Sequence, residues 1–153
     1  MTGVFLHFIT GADSLNNIVL HAKFNNKWDA IRACGQILVD NGYVAPEYID
    51  DMFGREEVAS VYLGNNVAIP HGKDGSEGHI IESGLSFLQV PEGVSFDDED
   101  AKILVGIAGK DGKHIDILGS ISQTFTDMDI IQKLSTTTDK QYVYSIFAST
   151  SEL

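Results

Sequence analysis

The sequence predicts a single α/β domain, one mixed parallel/antiparallel sheet with helices on both faces. Three observations carry this. Apolar residues recur at helical spacing toward both ends of the chain, while short apolar pieces broken by turn signals fill the middle. The length, 153 residues, is that of one domain around one core. Hydrophobic residues make up 43% and charged residues 21%, a globular composition that argues against disorder.

Taken in order, residues 1–17 include GADSLNN, whose Gly and Asn content marks a loop, and read as a poorly packed N-terminal extension. Residues 18–20 form a short extended piece. From Lys27 to about Asn41, Trp28, Ile31, Cys34 and Leu38 recur at three- and four-residue spacing and make one buried helix face, which Asn41-Gly42 terminates. Pro46 opens a second helix through Tyr48, Ile49 and Met52 to about Arg55.

The middle changes period. Residues 60–63 and 67–70 are short apolar pieces split by the turn Gly64-Asn65-Asn66. Residues 84–90 alternate as a half-buried strand does. Pro91-Glu92-Gly93 reads as a turn, with Val94-Ser95-Phe96 as the returning strand. Residues 102–108 (KILVGIA) are nearly all apolar, as in a strand buried on both faces, and the Gly109–Gly112 run ends them. A helical stripe then runs from His114 to Phe125 through Ile115, Leu118 and Ile121. Asp127 caps a helix through Leu134, and Asp139 another through Phe147.

Charge narrows the function classes. With 22 acidic against 10 basic residues the net charge is -12, which repels phosphate backbones and anionic lipid heads. Nucleic acid and membrane are therefore poor partners, and a protein with a basic face is a good one. No apolar run approaches the roughly 20 residues of a membrane helix. The opening MTGVFLHFIT has neither a basic n-region nor a small-residue cleavage site, so it reads as mature chain. The single cysteine, Cys34, makes no internal disulfide and agrees with a reducing cytosol; on an apolar helix face it reads as core.

Of five histidines, His7, His21 and His79 take the ordinary structural or solvated reading. His71 differs. It follows an apolar strand and Pro70, which fixes the backbone before it, while Gly72 leaves the backbone after it uncovered. That setting suits an exposed nucleophile.

The stretch Tyr62-Leu-Gly-Asn-Asn-Val-Ala-Ile-Pro-His-Gly72 resembles the phosphohistidine motif of the mannitol/fructose class of EIIA domains in the sugar phosphotransferase system. Residues 41–52 (NGYVAPEYIDDM) with Arg55-Glu56 resemble the same family. Residues 84–94 (GLSFLQVPEGV) and His114-Ile-Asp-Ile-Leu118, the latter similar to the second-histidine motif, resemble its mannitol branch. The motifs are in order and span about residues 27–147.

The resemblance implies a cytoplasmic phosphoryl relay that takes a phosphoryl group from HPr on His71 and passes it to the EIIB domain of a mannitol-type transporter. It implies that Arg55 stabilises phosphate charge, a task a guanidinium fork suits and lysine does not. It implies that His114, at a helix N-terminus, orients His71 or binds phosphoryl oxygens. No cofactor, metal or direct membrane insertion is implied. A neutral imidazole, with an ordinary pKa of about 6.5, is a good nucleophile near pH 7.

Some mannitol-branch members carry an acid where this chain has Asn65, which brings no charge. The run Asp97-Asp98-Glu99-Asp100 reads as a solvated loop. Two other functions compete: a nitrogen-type regulatory EIIA that signals by its phosphorylation state, and a metal-dependent hydrolase using His71, His79 and His114. The eight-residue step from His71 to His79 matches no common ligand spacing.

Overall fold

The computed structural model describes residues 14–150. Ser14–Asn17 make a short 3-10 turn that leads into β1 (Ile18–Val19). Residues 1–13 of the predicted N-terminal extension, with His7, lie outside the described residues. Within 14–17, Asn17 is buried, and its amide donates to the Tyr43 hydroxyl and the Leu85 carbonyl, both at 2.9 Å.

Helix α1 spans Lys27–Asp40, with the Asn26 side chain accepting from the Asp29 N–H at 2.9 Å as N-cap. Gly42, at φ +80°, turns the chain away after it. Helix α2 spans Tyr48–Val58. It starts two residues after Pro46 and runs three beyond Arg55, because Ala45 and Pro46 carbonyls supply the first turn's partners and the Ala59 N–H closes on Arg55.

Five strands form one sheet in the order β1-β4-β5-β3-β2, with β2 (Tyr62–Gly64), β3 (Val67–Ala68), β4 (Gly84–Phe96) and β5 (Glu99–Ala108). β4 and β5 are antiparallel, as are β2 and β3; β1 is parallel to β4, and β3 to β5. The sheet is mixed, as the sequence predicts.

Pro91-Glu92-Gly93 does not turn the chain. β4 continues through it to Phe96, and its register with β5 shifts between Gln89 and Val94. Proline has no N–H for the ladder and Gly93 sits at φ +83°, so the three residues make a bulge within the strand. The reversal comes at Asp97-Asp98, with Phe96 opposite Glu99 and Asp97 at φ 64°. Half of the acidic run is therefore strand: Glu99 and Asp100 begin β5, exposed at its solvent end.

β5 sorts the core into two layers. Ile103, Val105 and Ile107 pack on one face with Ile117, Ile121, Phe125, Leu134 and Phe147 of α3 (His114–Thr124), α4 (Met128–Thr136), α5 (Lys140–Thr150) and their joins. Leu104 and Ala108 pack on the other with Ile31, Cys34, Leu38 and Met52 of α1 and α2. This is the period-two alternation of a strand covered on both faces. Gln89, fully buried, binds the layers: its amide donates to the Leu134 and Thr137 carbonyls at 2.9 Å, and its oxygen accepts from the His21 N–H.

Candidate functional site

The site grows from the pairing of β3 with β5. After Ala68 the chain stays beside β5: the Ile107 N–H donates to the Pro70 carbonyl at 2.9 Å, and His71 makes an isolated parallel bridge with Ile107. Then the chain leaves the sheet. His71 is thus held at the end of a buried strand, with its side chain partly buried.

The His71 ring has a defined tautomer. Nδ1 lies 2.7 Å from the Ile69 carbonyl oxygen. A carbonyl only accepts, so Nδ1 carries the proton and Nε2 keeps its lone pair. Burial lowers the ring's pKa below its ordinary value; the Arg55 and His114 charges lower it further, against the Ile69 hydrogen bond, which raises it. The imidazole is held neutral and nucleophilic at Nε2.

His71, Arg55 and His114, the residues singled out from the sequence, line one open pocket of about 600 Å³. α2 brings Arg55, whose Nη1 donates to the Ala59 carbonyl at 2.5 Å. His114 is the first residue of α3, so free backbone N–H groups and the helix dipole open at the pocket beside it. Its placement depends on Gly109 at the end of β5: a Cβ there would overlap the backbone N and Cα of His114. No other residue type lets α3 begin this close to the sheet.

Sequence reasoning missed several residues here. Lys73 lines the same pocket, its side chain lying across Gly54 of α2. Among the described residues neither Lys73 nor Arg55 forms an ion pair with a carboxylate, although Asp74 and Glu77 line the same pocket. Tyr48, read only as helix core, also faces this pocket. Two exposed apolar side chains also line it, Val58 at 80% and Ile115 at 67%, beside the exposed Lys73, Asp74 and Glu77. No sequence signal separates an exposed Val from a buried one on a helix of mixed pattern.

His79 stands apart from the pocket lining. Its Nδ1 pairs with Asp51 at 2.6 Å, and that hydrogen bond raises its pKa above the ordinary value. Asn65 sits at φ 54° in the β2–β3 turn, and its amide donates to the Phe125 carbonyl at 3.3 Å. Cys34 is fully buried, and burial pushes its thiol up.

The family model described as "Phosphoenolpyruvate-dependent sugar phosphotransferase system, EIIA 2" matches residues 14–150. The chain belongs to this EIIA family. A Geobacillus stearothermophilus relative, the mannitol-specific phosphotransferase enzyme IIA component, is 44% identical to this EIIA domain over 131 residues, 85% of this chain and 90% of the relative. The crystal structure of IIA mannitol from Escherichia coli superimposes with a TM-score of 0.84 at 37% identity, covering 92% of this chain and 100% of that one. A second Escherichia coli structure, the complex of enzyme IIAMTL with phosphorylated enzyme IIBMTL, gives a TM-score of 0.85 at 36% identity, covering 93% and 99%. The EIIA domain shares the mixed sheet and helix layers with these structures. Among its described residues no helix is long and apolar enough to cross a membrane.

Proposed function

We propose that this EIIA domain is the phosphoryl relay of a mannitol-type phosphotransferase system, accepting the group from HPr on Nε2 of His71 and donating it to an EIIB domain. The observation that carries the reading is the 2.7 Å hydrogen bond from Nδ1–H to the Ile69 carbonyl, which leaves Nε2 as the free lone pair.

The Nε2 lone pair attacks phosphorus. One P–N bond forms as the donor's P–N bond breaks, and the donor imidazole takes back its electron pair. The Nδ1 proton stays in place throughout. The loose transition state spreads charge over the equatorial oxygens. Arg55 meets that charge with a guanidinium fork, and His114 and the α3 amide groups meet it from the other side. The second transfer reverses these roles: the acceptor's nucleophile attacks phosphorus and Nε2 leaves with its electrons.

The exposed Val58 and Ile115 give a partner protein an apolar contact beside the reacting atoms. The net charge of -12 steers partners with basic faces toward it. The relay is cytoplasmic in this reading, with mannitol as the final acceptor. The mannitol-specific names of the relatives favour it over the nitrogen-type regulatory alternative.

The test is phosphorylation with phosphoenolpyruvate, Enzyme I and HPr, read by intact mass under alkaline conditions. One added phosphoryl group, absent in His71→Ala, is expected, followed by its loss to a mannitol-type EIIB. An unchanged mass with active upstream proteins counts against the relay.

A further inference from the structure

The pocket contains a buried phenol for which the relay chemistry described above has no use. Tyr48 is the first residue of α2 and is 2% exposed, yet its hydroxyl is fully engaged. It accepts from the Gly72 N–H at 2.8 Å and donates to the Ile107 carbonyl at 2.7 Å. Both partners adjoin His71: Gly72 follows it, and Ile107 is its bridge partner in β5. The ring is seated where any side chain on residue 72 would be, since a Cβ there would come within 2.6 Å of Cε1.

The loop carrying His71 leaves the sheet at this point. Pro70 still accepts from Ile107, while Gly72 no longer lies along the strand. A backbone free to pivot after Pro70 would swing the imidazole relative to the Ile69 carbonyl, two residues back. The hydrogen bond that fixes the tautomer tolerates little of that motion before it weakens. Tyr48 stops the pivot by tying Gly72 to β5 through one oxygen. Arg55 lies seven residues and two turns along the same helix. Burial and the neighbouring acids push the phenol up to about 12, against the Gly72 hydrogen bond, so it remains a proton donor to Ile107 at every working pH.

We propose that Tyr48 is a positioning residue for His71, its hydroxyl clamping Gly72 to Ile107 so that Nδ1–H stays on the Ile69 carbonyl and Nε2 alone reacts. The proposal rests on His71 as the phosphoryl acceptor. Its readout does not, because the tautomer is measured in unphosphorylated protein without any donor.

The experiment is Tyr48→Phe in the full chain, labelled with nitrogen-15 at histidine. The wild-type His71 ring shows the single Nδ1–H tautomer. The variant is expected to gain a measurable Nε2–H population in its folded signals, and to accept the phosphoryl group about tenfold more slowly with the KM for phospho-HPr unchanged. A folded Tyr48→Phe whose His71 tautomer matches wild type overturns the proposal, whatever the rate. Should the variant not fold, hydrogen exchange in the wild type decides. The clamp requires the Gly72 amide to exchange far more slowly than that of the exposed loop residue Gly75, and equal rates overturn it. A wild-type chain that shows the tautomer but takes no phosphoryl group sinks the relay and leaves the clamp standing.

Discussion

The Nδ1–H of His71 donates to the carbonyl of Ile69 at 2.7 Å, in a pocket that also lowers the imidazole's pKa. Burial is the main cause, so the neutral ring persists to lower pH than a free histidine's. An NMR titration of His71 in the isolated protein should show its midpoint below the ordinary value of 6.5. Acceptance of the phosphoryl group should hold its plateau where an unperturbed histidine would already be half protonated. A midpoint at or above 6.5 contradicts the desolvated site.

Gly109 should be as sensitive as a reacting residue although it touches no substrate. In Gly109→Ala the new methyl collides with the His114 backbone and pushes the start of α3 outward. Transfer should slow by about 10- to 100-fold, and stability should fall by about 1–3 kcal/mol. Gly78→Ala, where a Cβ meets nothing within 4 Å, is the control and should leave transfer unchanged. Rapid-quench transfer rates and thermal melts of both variants check this.

Arg55 separates charge from shape. Arg55→Lys keeps the positive charge and loses the two-pronged donor, so transfer is expected to slow by about tenfold or more. Full rescue by lysine in a single-turnover assay would show that charge alone suffices. Loss of the contact to Ala59 should cost only about 1 kcal/mol of stability, which a melt measures separately.

The His79–Asp51 pair lies outside the relay and should act on stability. The hydrogen bond to Asp51 raises His79 above 6.5, so the folded state binds that proton more tightly than the unfolded chain. The stabilisation is complete below pH 6.5 and fades as pH rises through the raised native value. The drop in melting temperature caused by His79→Gln should therefore be larger near pH 6 than near pH 9. An equal drop at both would mean a neutral hydrogen bond.

Much of the fold was legible because burial leaves a periodic trace. The run at 102–108 marks a strand covered on both faces, and Ile31, Cys34 and Leu38 mark a helix with one buried side; Trp28, expected on that side, is 37% exposed at the start of the helix, its ring against Phe53. Pro91-Glu92-Gly93 misled because the same residues serve a turn and a bulge. The choice was made by pairing with β5, which lies outside that window. The site divides the same way. His71 stood out from its neighbours Pro70 and Gly72, and Arg55 and His114 from ordered motifs. Tyr48 and Lys73 were silent, since each acts through a contact distant in sequence, Tyr48 and Ile107 being 59 residues apart; Gly109 was silent because a glycine that ends a strand looks the same whether or not a helix start packs on it.

The close approach of α1 to the sheet, where Ser86 donates to the Cys34 carbonyl and a Cβ on Gly106 would strike the Ser86 hydroxyl and come within 3.2 Å of the Cys34 Cβ, has a practical consequence. A thiol reagent cannot reach the sulfur of the native protein, and the high thiol pKa leaves almost no reactive thiolate. Labelling must wait for the α1 layer to lift away. The chain's single cysteine is thus a built-in clock for core opening, and the rate at which it is modified can be compared between the phosphorylated and unphosphorylated forms without adding any probe.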